Sequence, residues 1–174
     1  MKPRKNNRIL ASLLTLLAFS QSISFTYAGQ IWDGTGADSN WNTPANWDSD
    51  TLPNFNNSIT FAGSTKLTNV NNLTAATTVG GISFTNTATN AFTISGNQIT
   101  LGGNISTTAA SSVLTDTTSF AIALNATRTI TTNTNHNLTI SGVISGSTFG
   151  IVKAGAAMLT LSGVNTYTGT TSIN

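Results

Sequence analysis

Few side chains in this sequence could do acid–base chemistry. Its 174 residues include no cysteine, one histidine and five acidic residues, all of them aspartates. His136 lies in a stretch rich in Asn and Thr, and Asp116 is the one acid after residue 50. A hydrolytic triad needs a histidine held between an acid and a nucleophile, and no nucleophile is indicated here. We therefore expect His136 to be a turn or surface residue.

The other four acids lie near the N terminus: Asp33, Asp38, Asp48 and Asp50. Carboxylate oxygens bind Ca²⁺, but this spacing matches neither an EF-hand loop nor a calcium-binding nonapeptide repeat. A glycosidase needs two placed carboxyl groups, a role that Asp48 and Asp50 could fill in a polysaccharide-active enzyme. Solvated loop acids are the simpler interpretation. We therefore predict no catalytic residue, no metal and no cofactor.

Three tryptophans in the same region are the best candidates for contact with a ligand: Trp32, Trp41 and Trp47. Indole rings can stack on sugar rings while nearby Asn and Asp side chains bind hydroxyl groups, so an extracellular polysaccharide-binding module is one hypothesis. The other is a cap, because a repeat protein must cover its terminal repeat and Trp buries a large area. We favour the cap.

The first 28 residues have the layout of a secretory signal. Four basic residues come first: Lys2, Arg4, Lys5 and Arg8. An apolar run follows at 9–19, and small residues precede a cleavage site between Ala28 and Gly29. The run is well short of the roughly 20 residues that a membrane-spanning helix needs. We therefore expect export, cleavage and no membrane span in the mature chain.

Cleavage would also reverse the sign of the net charge. The whole sequence carries +2, but residues 29–174 keep three basic residues against five aspartates, a formal charge of −2. Without a basic patch, nucleic-acid binding loses its electrostatic basis. Without cysteine, an exported chain has no disulfides, so burial and hydrogen bonding must stabilise it.

Beyond residue 58 the bulky apolar residues recur at every second position. Such runs occur at 82–84, 92–94, 99–101, 120–124, 138–140 and 159–161. Successive side chains of a strand point to opposite faces, so each run has one apolar face and one small or hydroxyl-bearing face. Most runs end at Gly or Asn, which tolerate the positive φ of tight turns. The mature chain is predicted to be all-β.

A repeat is also visible. The motif apolar-Thr-apolar-Ser-Gly ends at Gly96, Gly142 and Gly163, and the first interval is about twice the second. A repeat of roughly 20–25 residues with two or three short strands fits one coil of a parallel β-solenoid. Stacked coils place like residues on like, which makes charges costly and agrees with a charged content of 7%. About five coils would fit in 58–174; an antiparallel sandwich is the alternative, since turn spacing does not set strand direction.

The stretch GIVKAGAAMLTLSGVNTYTGTTSIN, residues 150–174, resembles the autotransporter-associated β-strand repeat, also called the passenger-associated transport repeat. The residues on its pattern are Lys153, Gly155, Leu159, Thr160, Leu161, Ser162, Gly163, Asn165, Thr166, Tyr167, Thr168, Gly169 and Thr170. Ala157 stands where the family often has a second Gly. Residues 32–63, with a Trp-x-Gly start and two Asn-Trp units, are similar to the opening of bacterial surface proteins that carry this repeat.

The resemblance implies a right-handed parallel β-helix in a secreted or outer-membrane-associated bacterial protein. It implies a non-catalytic passenger segment or adhesin, whose repeat supports export and folding and whose partner is an extracellular glycan or a cell surface. A passenger normally continues into further repeats and an outer-membrane barrel, so we expect this sequence to be truncated. The expected divisions are a signal at 1–28, a Trp- and Asp-rich cap at 29–57 and a solenoid at 58–174.

Overall fold

The computed structural model describes residues 30–86 and 89–174, so the signal and cleavage site expected at 1–29 lie outside the described residues. Apart from short 3-10 turns at Pro44–Asn46 and Asp48–Asp50, the regular structure is β. The strands are β1 Ile31–Trp32, β2 Ser58–Phe61, β3 Thr68–Asn71, β4 Thr77–Val79, β5 Gly81–Phe84, β6 Thr93–Gly96, β7 Ile99–Leu101, β8 Ile105–Thr107, β9 Leu114–Thr118, β10 Ile122–Leu124, β11 Arg128–Thr131, β12 His136–Ile140, β13 Ile144–Ser145, β14 Ile151–Ala154, β15 Leu159–Leu161 and β16 Thr171–Ile173.

The strands form three parallel sheets. Sheet 1 has the order β1-β2-β5-β8-β11-β14-β16, sheet 2 the order β3-β6-β9-β12-β15, and sheet 3 the order β4-β7-β10-β13. Each successive set of three strands adds one strand to every sheet, so the chain coils as a three-sided solenoid of about five turns. This confirms the predicted parallel β-solenoid and shows that the antiparallel sandwich is wrong. The right-handed sense of the coil stays a prediction.

Contacts between neighbouring coils confirm the predicted length of the repeat. The hydroxyl groups of Ser83 and Ser106 lie 3.2 Å apart and 23 residues apart in sequence. The backbone N–H of Ile144 donates to Asn165 Oδ1, 21 residues later, at 2.8 Å. One coil therefore takes slightly more than 20 residues, as the spacing of the Ser-Gly motifs indicates.

The core is built from columns of apolar side chains, one per coil. In sheet 3 the register aligns Ile99 with Ile122 and Ile122 with Ile144, and all three are buried. Each buried aliphatic side chain contributes roughly 1.5–3 kcal/mol through the hydrophobic effect. The alternating apolar positions that predicted the strands are therefore the positions that fill the solenoid.

The alternate positions carry hydroxyl groups outward, as predicted. On sheet 2 the register aligns one threonine from each of five coils: Thr68, Thr93, Thr117, Thr139 and Thr160. These side chains are exposed or half-buried. Within the described ranges there is no helix long and apolar enough to cross a membrane.

Candidate functional site

Three features concentrate aromatic or polar side chains: an aromatic cluster at the first coil, a buried histidine–aspartate pair in the middle coils, and the last repeat. No pocket is found on the described residues. Nor do the His and Asp side chains described in the structure form a group of three that could hold a metal ion.

The aromatic cluster contains all three tryptophans, and each is fully buried. The rings of Trp32 and Trp47 meet edge to face at 5.3 Å between centroids, and Trp41 stacks on Phe55 at 6.2 Å. Trp41 Nε1 donates to Asn69 Oδ1 at 2.8 Å, and Trp47 Nε1 donates to the carbonyl of Trp41 at 2.7 Å. Such aromatic pairs contribute about 0.5–1.5 kcal/mol each beyond the area they bury.

The cluster lies across the edge of the first coil. Strand β1 extends sheet 1 beyond β2, and Asn40 forms a parallel bridge with Val70 at the edge of sheet 2. The other edge of β1 is occupied, because Trp32 bridges Trp47. This placement is what a cap requires, and it leaves no indole face exposed for a sugar to stack on.

Three of the N-terminal aspartates accept hydrogen bonds from backbone N–H groups. Asp48 Oδ1 accepts from the backbone N–H of Ile31 at 2.7 Å. Asp38 Oδ1 accepts from the backbone N–H of Asn40 at 3.0 Å, and this hydrogen bond, above all, lowers the pKa of Asp38 below its ordinary value. Asp33 Oδ1 accepts from the backbone N–H of Thr35 at 3.2 Å. Asp33 and Asp38 thus each bind a residue two positions later, whereas Asp48 binds strand β1.

The prediction that His136 is a turn or surface residue is wrong. His136 opens β12, Asp116 lies in β9, and both side chains are fully buried, with His136 Nε2 and Asp116 Oδ2 2.5 Å apart. The parallel register sets His136 beside Leu114 and Asp116 beside Leu138, so the imidazole reaches diagonally to the next inward position. Two features of the sequence could have predicted the pair. His136 and Asp116 are 20 residues apart, close to the length of one coil, and His136 stands at the same alternate positions as the buried Leu138 and Ile140.

The partners of His136 restrict where its protons lie. Nδ1 must donate to the carbonyl of Thr108 at 2.7 Å, because a carbonyl oxygen only accepts. Nε2 is hydrogen-bonded to Asp116 Oδ2 at 2.5 Å. Both ring nitrogens are engaged, and in this arrangement neither can activate a nucleophile.

Asp116 also binds the preceding coil. Its Oδ1 accepts from the backbone N–H of Phe92 at 2.7 Å and from Asn86 Nδ2 at 3.1 Å. One carboxylate therefore joins three coils: the one before β9, its own, and the one that carries His136. Removing one partner of a buried charged pair typically costs about 3–5 kcal/mol, so the geometry is that of a structural clamp.

The last repeat binds the coil beneath it through side chains of its motif. Leu159, Thr160 and Leu161 of β15 align with the corresponding residues of β12. Asn165 Oδ1 accepts from a backbone N–H of β13, and Thr168 Oγ1 accepts from the backbone N–H of Thr148 at 2.9 Å. The motif is thus a set of contacts between coils.

Two glycines of the motif allow the coils to approach closely. Gly155 has φ of +81°, and a Cβ there would lie 2.2 Å from the carbonyl oxygen of Thr132. A Cβ at Gly163 would lie 2.3 Å from the carbonyl oxygen of Gly142. Lys153 stands beside Ile130 in a core column, and its Nζ donates to the carbonyls of Ala154 and Gly155, at 2.8 and 2.6 Å.

Residues 151–174 match the family model of the passenger-associated-transport-repeat. The chain carries this autotransporter-associated repeat. The match begins at the first residue of β14 and extends over β15 and β16, the strands whose motif residues contact the coil beneath. No curated protein and no solved structure matches the chain.

The repeat confirms the resemblance predicted for 150–174; the similarity predicted for 32–63 stays a prediction. Together with the solenoid, the repeat fits a passenger segment of an autotransporter and is consistent with a structural role. The family implies a secreted or cell-surface protein of bacteria.

Proposed function

We propose that this chain is a non-catalytic segment of an autotransporter-like passenger or surface adhesin, exported by the signal expected at 1–28, and that its repeat supports folding at the cell surface. The proposal is supported by the contacts that the motif residues within 151–174 make with the coil before them. The motif glycines, together with Asn165 and Thr168, all contact the preceding coil.

A solenoid of this kind can fold progressively as the chain emerges from a membrane. Each coil finds most of its partners in the neighbouring coil, so folding can begin in one place and propagate along the stack. The sequence has no cysteine, so no disulfide has to form before or after export. A repeat whose motif matches the coil beneath it would guide the addition of each new coil.

The proposal can be tested with Gly155→Ala and Gly163→Ala in the full chain, expressed with its own N terminus. The added methyl group would meet a carbonyl oxygen of the coil beneath, so we expect less protease-resistant chain outside the cell and a lower Tm of the secreted fraction. Gly63→Ala is the matched control for Gly155, because Gly63 also has a positive φ, of +87°, but has no neighbouring atom within 4 Å of the added Cβ.

Gly155→Ala and Gly63→Ala both place alanine at a positive φ, but only Gly155→Ala adds a steric clash with the neighbouring coil. If Gly155→Ala and Gly163→Ala were exported and folded like the parent chain, or lost no more than Gly63→Ala, the proposed role of the repeat would be wrong.

A further inference from the structure

The outward side of sheet 2 carries a column of threonines, one from each of five coils. The members are Thr68, Thr93, Thr117, Thr139 and Thr160, each of them exposed or half-buried. In the described part of the chain, none of their hydroxyl groups has a protein partner, whereas Ser119 Oγ and Ser141 Oγ beside them donate to carbonyls of the preceding coil at 3.3 Å. The five threonine hydroxyls are therefore left to bind solvent or a ligand.

A second column of hydroxyl groups runs beside the first. Ser95 begins it, opposite Val70. The backbone N–H groups of Ser119, Ser141 and Ser162 donate to carbonyls of the preceding coil, so the parallel alignment continues past the ends of their strands. Neighbouring strands lie about 4.8 Å apart, and outward side chains of one strand lie about 6.6 Å apart. The face is thus a two-dimensional lattice of hydroxyl groups.

On the other two sheets, hydroxyl groups at outward positions form protein hydrogen bonds. In sheet 1, the hydroxyl groups of Ser83 and Ser106 bind each other at 3.2 Å. In sheet 3, Thr100 Oγ1 donates to the carbonyl of Ala76 at 3.1 Å. Sheet 2 differs because a whole column, five coils long, is not used by the fold.

The lattice carries neither a charge nor an aromatic ring. Asp116 and His136 are the ionisable residues in the described strands of sheet 2, and both are fully buried in the clamp. The outward residues of these strands are threonine, serine, asparagine and valine. An ionic partner would need opposite charges here, and sugar rings would need aromatic faces to stack on. The face therefore suits an uncharged, regular lattice of small hydrogen-bonding groups.

We propose that the outward face of sheet 2 binds ice. A hydroxyl group both donates and accepts hydrogen bonds, as a water molecule does, so each free threonine holds water in a defined place. The branched Cβ restricts χ1, so equivalent threonines present their hydroxyl and methyl groups alike. Water held in rows at the strand spacing joins an ice crystal, whose surface oxygen atoms repeat at a closely similar distance. The solenoid forms these rows in advance, so binding requires little ordering of the protein.

Ice growth in the presence of the secreted parent chain tests the proposal. The parent is expected to be enriched in slowly grown ice and to hold a seeded crystal without growth below its melting temperature. Thr117→Lys places a long, charged side chain in the middle of the column and is expected to abolish both effects. Thr100→Lys is the matched control and should behave like the parent, since Thr100 is also a half-buried outward threonine but lies on sheet 3.

A smaller substitution separates loss of the lattice from loss of the fold. Thr117→Val keeps the branched side chain and removes one hydroxyl group that has no partner in the described chain. Enrichment in ice should fall in part, while the Tm measured by circular dichroism should match that of the parent. Unchanged enrichment in Thr117→Val and Thr117→Lys would show that the column is not the binding surface.

Exclusion of the folded parent chain from ice would overturn the proposal, and so would equal loss of enrichment in Thr117→Lys and Thr100→Lys. Co-sedimentation with microcrystalline cellulose, abolished by Thr117→Lys in a chain that ice excludes, would instead assign the face to a crystalline polysaccharide. These measurements use secreted, folded protein, so their failure does not affect the proposed role of the repeat in folding at the cell surface.

Discussion

The first and last coils of the described solenoid differ in how well their apolar side chains are covered. In the first coil Phe61 is fully buried, and Trp47 of the segment that crosses the sheet edges is fully buried as well. In the last coil Leu159 and Leu161 follow the same alternation yet remain partly exposed, and Ile173 is almost free. Alternation therefore selects the inward side chains, but a neighbouring coil or segment is needed to bury them.

The largest expected effect is at the covered end. Trp47→Ala removes a fully buried ring and the hydrogen bond from its Nε1 to Trp41, so the free energy of unfolding should fall by about 3–5 kcal/mol. Trp47→Phe keeps most of the ring and should cost less. Urea denaturation followed by circular dichroism gives both values. A loss of less than about 1 kcal/mol for Trp47→Ala would mean that the cluster does not stabilise this end.

Substitution of Asp116 in the histidine–aspartate clamp should lower the free energy of unfolding almost as much. Asp116→Ala leaves the imidazole of His136 buried without its carboxylate and frees the backbone N–H of Phe92, so a loss of about 3–5 kcal/mol is expected.

Replacing both members of the clamp by leucine should be less damaging than Asp116→Ala alone, because no imidazole is then buried without its carboxylate, while the N–H of Phe92 loses its acceptor in both variants. Denaturant titrations of the double and single variants give the comparison. Additive losses in Asp116→Leu, His136→Leu and the double variant would show that the two side chains do not act as a pair.

Ile130 and Ile173 belong to one core column but should differ in how much they contribute to stability. Ile130→Ala should cost about 2–4 kcal/mol, because its side chain is buried between coils. Ile173→Ala should change stability by no more than about 0.5 kcal/mol, as is usual at an exposed position. Similar losses at the two positions would show that the last coil is covered after all.

The smallest effect is expected at Asp38. The backbone N–H of Asn40 lowers the pKa of Asp38 below its ordinary value of 3.8, so the ionised form stabilises the fold above that pH. As the pH falls through the lowered pKa, this contribution is lost. The difference in Tm between the parent and Asp38→Asn, which removes the charge, should therefore shrink as the pH falls below 3.8 and through the lowered pKa. A difference that does not change with pH would contradict this origin of the stabilisation.

Much of the fold could be predicted from local pattern. The runs at 99–101 and 138–140 became β7 and part of β12, because alternation at period two and strand preference are properties of neighbouring residues. The spacing of Gly142 and Gly163 predicted the length of a coil, because equivalent turns recur once per coil. Parallel pairing followed from that repeat rather than from the turns themselves.

The functional candidates were harder to place. The sequence singled out His136 and Asp116 separately, but their pairing depends on how β9 and β12 are aligned. A shift of one residue in that register would turn either side chain outward. The burial of the tryptophans was equally hard to predict from the sequence. Trp41, for example, contacts Phe55 and Asn69, which are distant from it in the chain.

By itself, the sequence determined the strands, the inward and outward positions and the length of the repeat, because backbone preference and alternation act over a few residues. The terminal motif determined the family of the repeat. Only the tertiary structure decided that the lone histidine and the isolated aspartate clamp three coils, that the tryptophans are buried, and that the two ends differ. Those outcomes depend on contacts between residues that are not neighbours in the chain, and only the folded stack of coils brings such residues together.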